Sequence, residues 1–360
     1  MHEDNEVLDA VVVTALGIKR SEKALTYNVQ EVAGDIVNTV KDANFMNSLS
    51  GKVAGLQINA SASGVGGSTR VVMRGVKSIS GNNNALYVID GIPMPDLRSS
   101  QTEGTYETPD GGDFEGISNL NPEDIESMTV LSGATAAALY GSQGANGVIV
   151  ITTKRGRMAE RAKINYRMQL GFSQIAYGNW DLMDTDERIR YEKEIGFTDG
   201  KNYNVLGKTN VNWLDEVFND AALLQNYELS VSGATDKTNY YVSGGYYNQE
   251  GIAVGSAFER FSLRANVEQQ AAKWLKLGTN TMMNYQTIER AESGQYTLVT
   301  PISAARFMMP YWNPHRPDGS LASIKDGTWK GEGQNPLEWL ANNKISYKKY
   351  NCLLYTSPSP

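Results

Sequence analysis

Few residues in this 360-residue sequence are equipped for bond chemistry. Histidine occurs twice, at His2 and His315, and cysteine once, at Cys352. A Ser-His-Asp triad would need its base from the extreme terminus or from the proline-flanked "NPHRPDG", and neither suits an imidazole held rigidly beside a nucleophile. The single cysteine excludes an internal disulfide and a cysteine-based metal cluster, and two histidines exclude a histidine-rich site. Asp96, Glu103, Glu107, Asp110 and Asp113 crowd one polar stretch, but without the alternating ligand spacing and closing glutamate of a calcium loop. "SGVGGS", residues 63–68, has the glycine density of a phosphate loop, yet it lacks the lysine and is followed by "TRVVMRGV", a strand pattern where a helix is needed. It reads as a turn. A two-carboxylate glycosidase needs no histidine and stays open as a class, although the acids fall in turns and helix starts and no pair stands out. The expectation is a protein that is not an enzyme and carries no cofactor or metal.

The remaining candidates are residues that bind. Near the amino terminus, "LDAVVVTALGIKR" places three β-branched residues in a row, which favours extended backbone. Such a run close to a chain end either pairs inside the chain or is kept for a partner. The formal charge of -7 argues against a nucleic-acid partner. No apolar run reaches the roughly 18 residues of a spanning helix, but spanning strands need only about 9–11 alternating residues.

The elements that position these residues change character near Arg157. Before it, helix and strand signals mix. "VKDANFMNSLSGKVAG" has near-helical apolar spacing with Gly55 as a stop, and "ALYVIDGIP" reads as a strand ended by an Asp-Gly turn. "NPEDIES" has the form of a helix start, with Asn121 as N-cap and Pro122 at the first position. "ATAAALYG" reads as a short helix closed by Gly141, and "GVIVITTKRG" as a strand. Residues 94–116 read as a long loop. This is an α+β pattern.

After Arg157 the period is two. In "KINYRMQLGFS", Ile164, Tyr166, Met168, Leu170 and Phe172 share one face, and Asn165, Arg167, Gln169 and Gly171 the other. "NYELSVSG", "TNYYVSGGYYNQ", "ERFSLRANVE" and "WLKLGTNTMMNY" repeat the pattern, making about five strands. Long connections, residues 174–225 and from about Gln286, alternate with tight ones such as "GATDK" and "QQAAK". A soluble sandwich also alternates its faces. Loops long at one strand end and short at the other favour an outer-membrane barrel, and an 11-residue strand tilted by about 45° spans its apolar band of roughly 25 Å. Tyr240, Tyr241, Tyr246 and Tyr247 suit an interfacial aromatic girdle.

Taken together, "LDAVVVTALGIKR", "ALYVIDGIP" and "NPEDIESMTVLSGATAAALYGSQGANGVIVITTKRG" resemble the SusC/RagA family of TonB-linked outer-membrane transporters. The resemblance implies an α+β plug domain followed by antiparallel transmembrane β-barrel strands, of which the family's barrel takes 22. It implies a periplasmic arm at residues 1–20, a plug at 21–157, and the first barrel strands and external loops at 158–350; residues 351–360, within "NCLLYTSPSP", abandon the alternation and read as a foreign or truncated tail. It implies a TonB box at Asp9, Ala10, Val11, Val12, Val13, Thr14, Ala15 and Leu16, which would add a strand to the edge of TonB's sheet. The implied setting is the bacterial outer membrane, with plug and arm on the periplasmic side. The implied partners are TonB, outer-membrane lipid, a SusD-like surface lipoprotein as a lid, and a small oligosaccharide or peptide substrate. Trp180, Trp213, Tyr311 and Trp312, in the long loops, are the candidates for touching substrate or lid. Five strands do not close a barrel, and the acidic opening does not read as a secretory leader, so the chain reads as a partial one. The alternatives are a soluble β-rich carbohydrate-binding module and a glycoside hydrolase.

Overall fold

The computed structural model describes residues 11–13, 19–21, 29–38, 42–59, 65–67, 69–73, 75–76, 83–94, 117, 120–131, 133–156, 161–176, 182–198, 200–291 and 300–359. Near the amino terminus, β1 (Val11–Val13) pairs antiparallel with β2 (Lys19–Ser21) as a separate two-stranded ribbon. The plug follows. It is built on β3 (Val29–Ala33), α1 (Gly34–Val37), β4 (Leu56–Asn59), β5 (Arg70–Met73), β6 (Leu86–Ile89), β7 (Ile92–Met94), β8 (Ile125–Leu131), α2 (Ala134–Tyr140) and β9 (Val148–Thr153).

Five of these strands form one sheet in the order β3-β8-β9-β6-β7, with only β6 and β9 parallel. The apolar runs "LYVI" and "VIVI" are buried on both faces, as strands covered on both sides must be. Their alternation divides them between two cores. Tyr87, Ile89, Ile149 and Ile151 pack with Phe45, Met46, Leu49 and Met128, while Leu86, Val88, Val148 and Val150 pack with Leu131 and Ala136 of α2. Asp90 (φ 48°) and Gly91 (φ 90°) make the turn between β6 and β7 with left-handed backbone at both positions, the hairpin geometry that Asp-Gly favours.

Two helical expectations shrink. The segment around Phe45 forms only a 3-10 helix, Phe45–Leu49, capped by the Asn44 side chain, and Gly51 and Gly55 turn the chain with φ near 75°. Asn121 caps as expected, with Pro122 inside the first turn, but that turn is a three-residue 3-10 helix, Pro122–Asp124. The chain then passes directly into β8, because Ile125, Met128, Val130 and Leu131 are claimed by the sheet.

The wall is an antiparallel meander of β10 (Lys163–Ser173), β11 (Ala222–Ala234), β12 (Thr238–Glu250), β13 (Ala257–Ala272), β14 (Leu275–Ala291) and β15 (Lys344–Ser359). Among the described residues that is six strands, where the sequence suggests about five. Residues 351–359, expected to leave the strand pattern, continue β15, because the long β14 supplies a ladder that reaches Lys276↔Ser359. Pro358 is tolerated there on an outer strand of the sheet.

The wall is polar inside and apolar outside. Ile164, Tyr166, Met168, Leu170 and Phe172 of β10 stand exposed, Phe172 at 73%. Glu228, Ser243, Arg260, Arg264, Asn266 and Gln286 are buried. Tyr227, Tyr246, Phe261, Tyr285 and Tyr350 are successive register partners, with ring centroids 4.7–6.3 Å apart across five strands. Tyr246 therefore joins an aromatic row. Tyr241 and Tyr247, expected in the same girdle, are buried instead, because alternation turns them to the opposite face.

Candidate functional site

Three places carry the residues to which function was ascribed. The first is the amino-terminal strand. Val11–Val13 adopt extended backbone and pair with neighbours in sequence, Val11↔Ser21, Val12↔Arg20 and Val13↔Lys19. Among the described residues they do not join the plug sheet. A ribbon of three pairs is marginal in water without further strands, so this backbone remains suited to adding to another sheet. Asp9, Ala10, Thr14, Ala15 and Leu16 lie outside the described residues.

The second place is the interface between plug and wall, where buried polar groups converge. The short turn at Asn121–Asp124 is the centre. Asn121 Nδ2 donates to Glu228 Oε2 at 2.6 Å and to Ser262 Oγ at 3.3 Å. Arg167 Nη1 donates to both oxygens of Glu123, at 2.6 and 2.8 Å. Tyr241 OH and Ser243 Oγ both donate to Asp124 Oδ1, at 3.0 and 2.5 Å. Burial raises the Asp124 carboxyl above its ordinary value, opposed by the Arg264 charge and by these two hydroxyls.

A second knot ties the end of β9 to β13. Arg264 Nη2 donates to Asp90 Oδ2 at 2.8 Å and to Thr153 Oγ1 at 2.7 Å, and Asn266 Nδ2 donates to the Lys154 carbonyl at 2.9 Å. Thr153 Oγ1 in turn donates to Asp90 Oδ2 at 2.6 Å. The Arg264 and Asp90 side chains are only 3% and 1% exposed, so each neutralises a charge that would otherwise be stranded in the interior. Asp90, read from sequence as a turn residue alone, is also this anchor. The turn at Gly66 (φ +75°) has a partner as well: a Cβ there would clash with the Phe258 ring, so glycine admits the ring of β13.

The third place is the pair of long loops. They fold together through α3 (Thr185–Glu194), α4 (Tyr203–Leu206), α5 (Trp213–Val217), α6 (Pro301–Phe307) and α7 (Pro336–Asn342) around a core of their own. Trp213, Tyr311 and Trp312, expected to face substrate or lid, are buried in that core with Trp329. The expectation is corrected for a packing reason. Trp213 meets Trp329 edge-on at 6.2 Å and donates its indole N–H to the Met309 carbonyl, so its ring face is already used. Trp180 lies outside the described residues, as do Asp96, Glu103, Glu107, Asp110 and Asp113.

Sequence reasoning missed the residue that joins the loops. The fully buried Glu192 accepts from Arg188 Nε (2.9 Å), Lys201 Nζ (2.9 Å), Tyr203 OH (3.0 Å) and Tyr311 OH (2.9 Å). Burial pushes its carboxyl up, but the four donors outweigh this and hold it below its ordinary value. The loop burial pattern could not be read from periodicity, since these helices are short and capped independently.

A family model described as TonB-dependent Receptor Plug Domain matches residues 21–148. The chain is 28% identical to TonB-dependent receptor SusC of Bacteroides thetaiotaomicron, over 97% of this chain and 36% of that protein. It is 31% identical to TonB-dependent receptor P3 of Formosa agariphila, over 88% of this chain and 29% of that protein. Among solved structures, the RagAB peptide importer in its open-open state superposes with a TM-score of 0.78 at 25% identity, covering 98% of this chain and 41% of that one. The chain thus spans about a third of the length of the curated relatives it matches.

Proposed function

The chain belongs to the SusC/RagA family of TonB-dependent receptors, and on that premise we propose that it supplies the plug and part of the wall of an outer-membrane nutrient importer. The observation that carries this reading is the wall's inverted polarity around a polar-bonded plug. A broad face of Ile, Leu, Met, Phe and Tyr is exposed where a soluble sandwich would show polar residues, and lipid is the solvent that stabilises such a face. Among the described residues β10 and β15 each pair on one side only, and in lipid an unpaired edge costs several kcal/mol per orphaned group, so a closed wall requires more strands than these six.

In this reading residues 1–20 are the periplasmic arm, 21–157 the plug, and 158–350 wall and external loops, with β15 carrying the wall on through Ser359. TonB adds a strand of its own to Val11–Val13 and draws the arm, using work supplied by the inner-membrane proton gradient. A SusD-like lipoprotein covers the outer mouth and meets the joined loops. The cargo is a small oligosaccharide or peptide. The argument for a glycan from loop aromatics falls away with the burial of Trp213, Tyr311 and Trp312, so neither class is favoured by these residues. The process needs no bond chemistry, and the matched relatives are by name receptors and importers.

The test is the binding of TonB's carboxy-terminal domain, measured by titration calorimetry on the receptor in detergent. Val12→Pro removes a ladder donor from the centre of the strand and is expected to weaken binding at least about tenfold, the loss of some 1.4 kcal/mol. Unchanged affinity would reject the assignment of the arm.

A further inference from the structure

The outward face of the wall carries different side chains at its two ends. Towards the long loops it is crossed by the aromatic row of Tyr246, Phe261, Tyr285 and Tyr350. Below that row the exposed positions are apolar: Leu229, Val242, Leu263, Leu277 and Met283. The belt ends at the tight turn between β13 and β14, where Trp274 stands 73% exposed. Tyr285 and Leu275 lie about 33 Å apart along β14 at ~3.3 Å per residue, and a tilt of about 40° reduces this to roughly 25 Å, the height of an apolar band. Trp274 therefore sits where that band gives way to headgroups, a level that suits an indole because its ring is apolar and its N–H polar.

This end is also cationic, although the chain as a whole carries -7. The turn between β11 and β12 lies against the one that holds Trp274: the Gln270 backbone N–H donates to the Lys237 carbonyl at 2.7 Å, and Gln270 Nε2 donates to the Ala272 carbonyl at 2.7 Å. Lys237 and Lys273 are exposed on these adjoining turns, and among the described residues neither side chain has an ion-pair partner. Glu268 accepts from two cations at once, Arg155 at 2.8 Å and Lys276 at 2.9 Å, so it cancels only half of the charge it gathers. Asp236 is the other acid on these turns. At the opposite end the balance reverses: outward positions beyond the aromatic row carry Glu250, Glu259 and Glu289 against Lys344 and Lys348, by register.

We propose that the rim made by the two adjoining turns is a docking surface for anionic glycerophospholipids. Lys237 and Lys273 meet the headgroup phosphate, and Trp274 lies against the first part of the acyl chains. The exposed indole selects a lipid over a soluble anion: a free phosphate ester would satisfy the lysines and leave the ring bare, whereas a phospholipid joins a phosphate to an apolar chain. Through Arg155 and Glu268 the same rim is tied to the segment that leaves β9, so bound lipid sets the depth of the wall where the plug enters it. This rests on the reading of the wall as membrane-embedded and adds to it the end that selects lipid and the class selected.

The test is native mass spectrometry of the full-length receptor in detergent, offered equal amounts of phosphatidylglycerol and phosphatidylethanolamine with the same acyl chains. Phosphatidylglycerol is expected to be retained at least about fivefold better, roughly the effect of one lysine at an anionic surface. Lys237→Gln with Lys273→Gln is expected to remove the preference, and Lys237→Arg with Lys273→Arg to keep it. Trp274→Ala should lower retention of both lipids, while Lys348→Gln at the other end changes neither. Equal retention by the native receptor, a preference that survives the paired glutamine variant, an equal loss from Lys348→Gln, or displacement of the lipid by excess glycerol phosphate each overturns the proposal. The two readings fail differently: equal retention leaves the membrane-embedded wall standing, whereas retention of neither lipid rejects both.

Discussion

In the plug sheet, Tyr87, Ile89, Ile149 and Ile151 are buried and strand faces meet other strands or helices; in the wall sheet, Ile164, Phe172, Leu263 and Tyr350 stand exposed while Asn226, Arg264 and Gln286 are buried. Both sheets obey the same rule of alternation, and both are held by the same backbone ladders. What differs is the medium on each side. The plug faces water or polar wall on its outside, so burial of apolar area stabilises it from within. The wall turns its polar face to the plug, so its apolar residues lie outside and buried groups such as Arg264 and Asn266 bond to the plug. Cohesion between the two bodies combines buried ion pairs with an apolar contact of Ala43 and Val65 against Leu224, Phe258 and Ile288, and removing one partner of a buried pair is costly there.

The comparison can be broken first at that seam. Arg264→Ala would leave Asp90 buried without its guanidinium, and the expected loss is about 3–5 kcal/mol in the seating of the plug. Denaturant melts of the receptor in detergent measure it, and a change below about 1 kcal/mol would show that the seam is not electrostatic. The wall's outward face is tested next. Met168→Arg near the middle of β10 is expected to cost about 2–4 kcal/mol, and Gln169→Arg on the inner face much less. Equal penalties would reject the inside-out assignment.

The smallest expected effect concerns the two long loops, which follow the plug's rule with an apolar core plus one buried carboxylate. Because the Glu192 carboxyl is held below its ordinary value of 4.5, its contribution is fully present above that value and is lost as pH falls through the lower, folded one. Hydrogen exchange of loop amides should show protection that declines below pH 4.5 in the native protein. Glu192→Gln is expected to flatten that dependence and to lower loop stability at neutral pH by about 1–3 kcal/mol. An unaltered acid profile in the variant would place the titration elsewhere.

Much of this was legible beforehand. The wall strands, their faces and the order of long and tight connections follow from a period of two that persists over eleven residues in β10, and Asp90–Gly91 announces its hairpin. The helices were less legible. Near-helical spacing around Phe45 and the cap at Asn121 each yielded one 3-10 turn, because sheet and core contacts claimed the residues that would have extended them. The loop aromatics were misjudged for a related reason: a tryptophan in a polar loop looks the same in sequence whether its ring faces a ligand or another tryptophan.

Local chemistry alone determined that Val11–Val13 would be extended and that β10–β14 would carry one apolar face, since each depends only on residue type and spacing. Tertiary structure decided which way each face points and which polar groups meet a carboxylate across more than a hundred residues of chain. Those outcomes depend on long-range packing and on the medium beyond the surface, and alternation along a strand is blind to both.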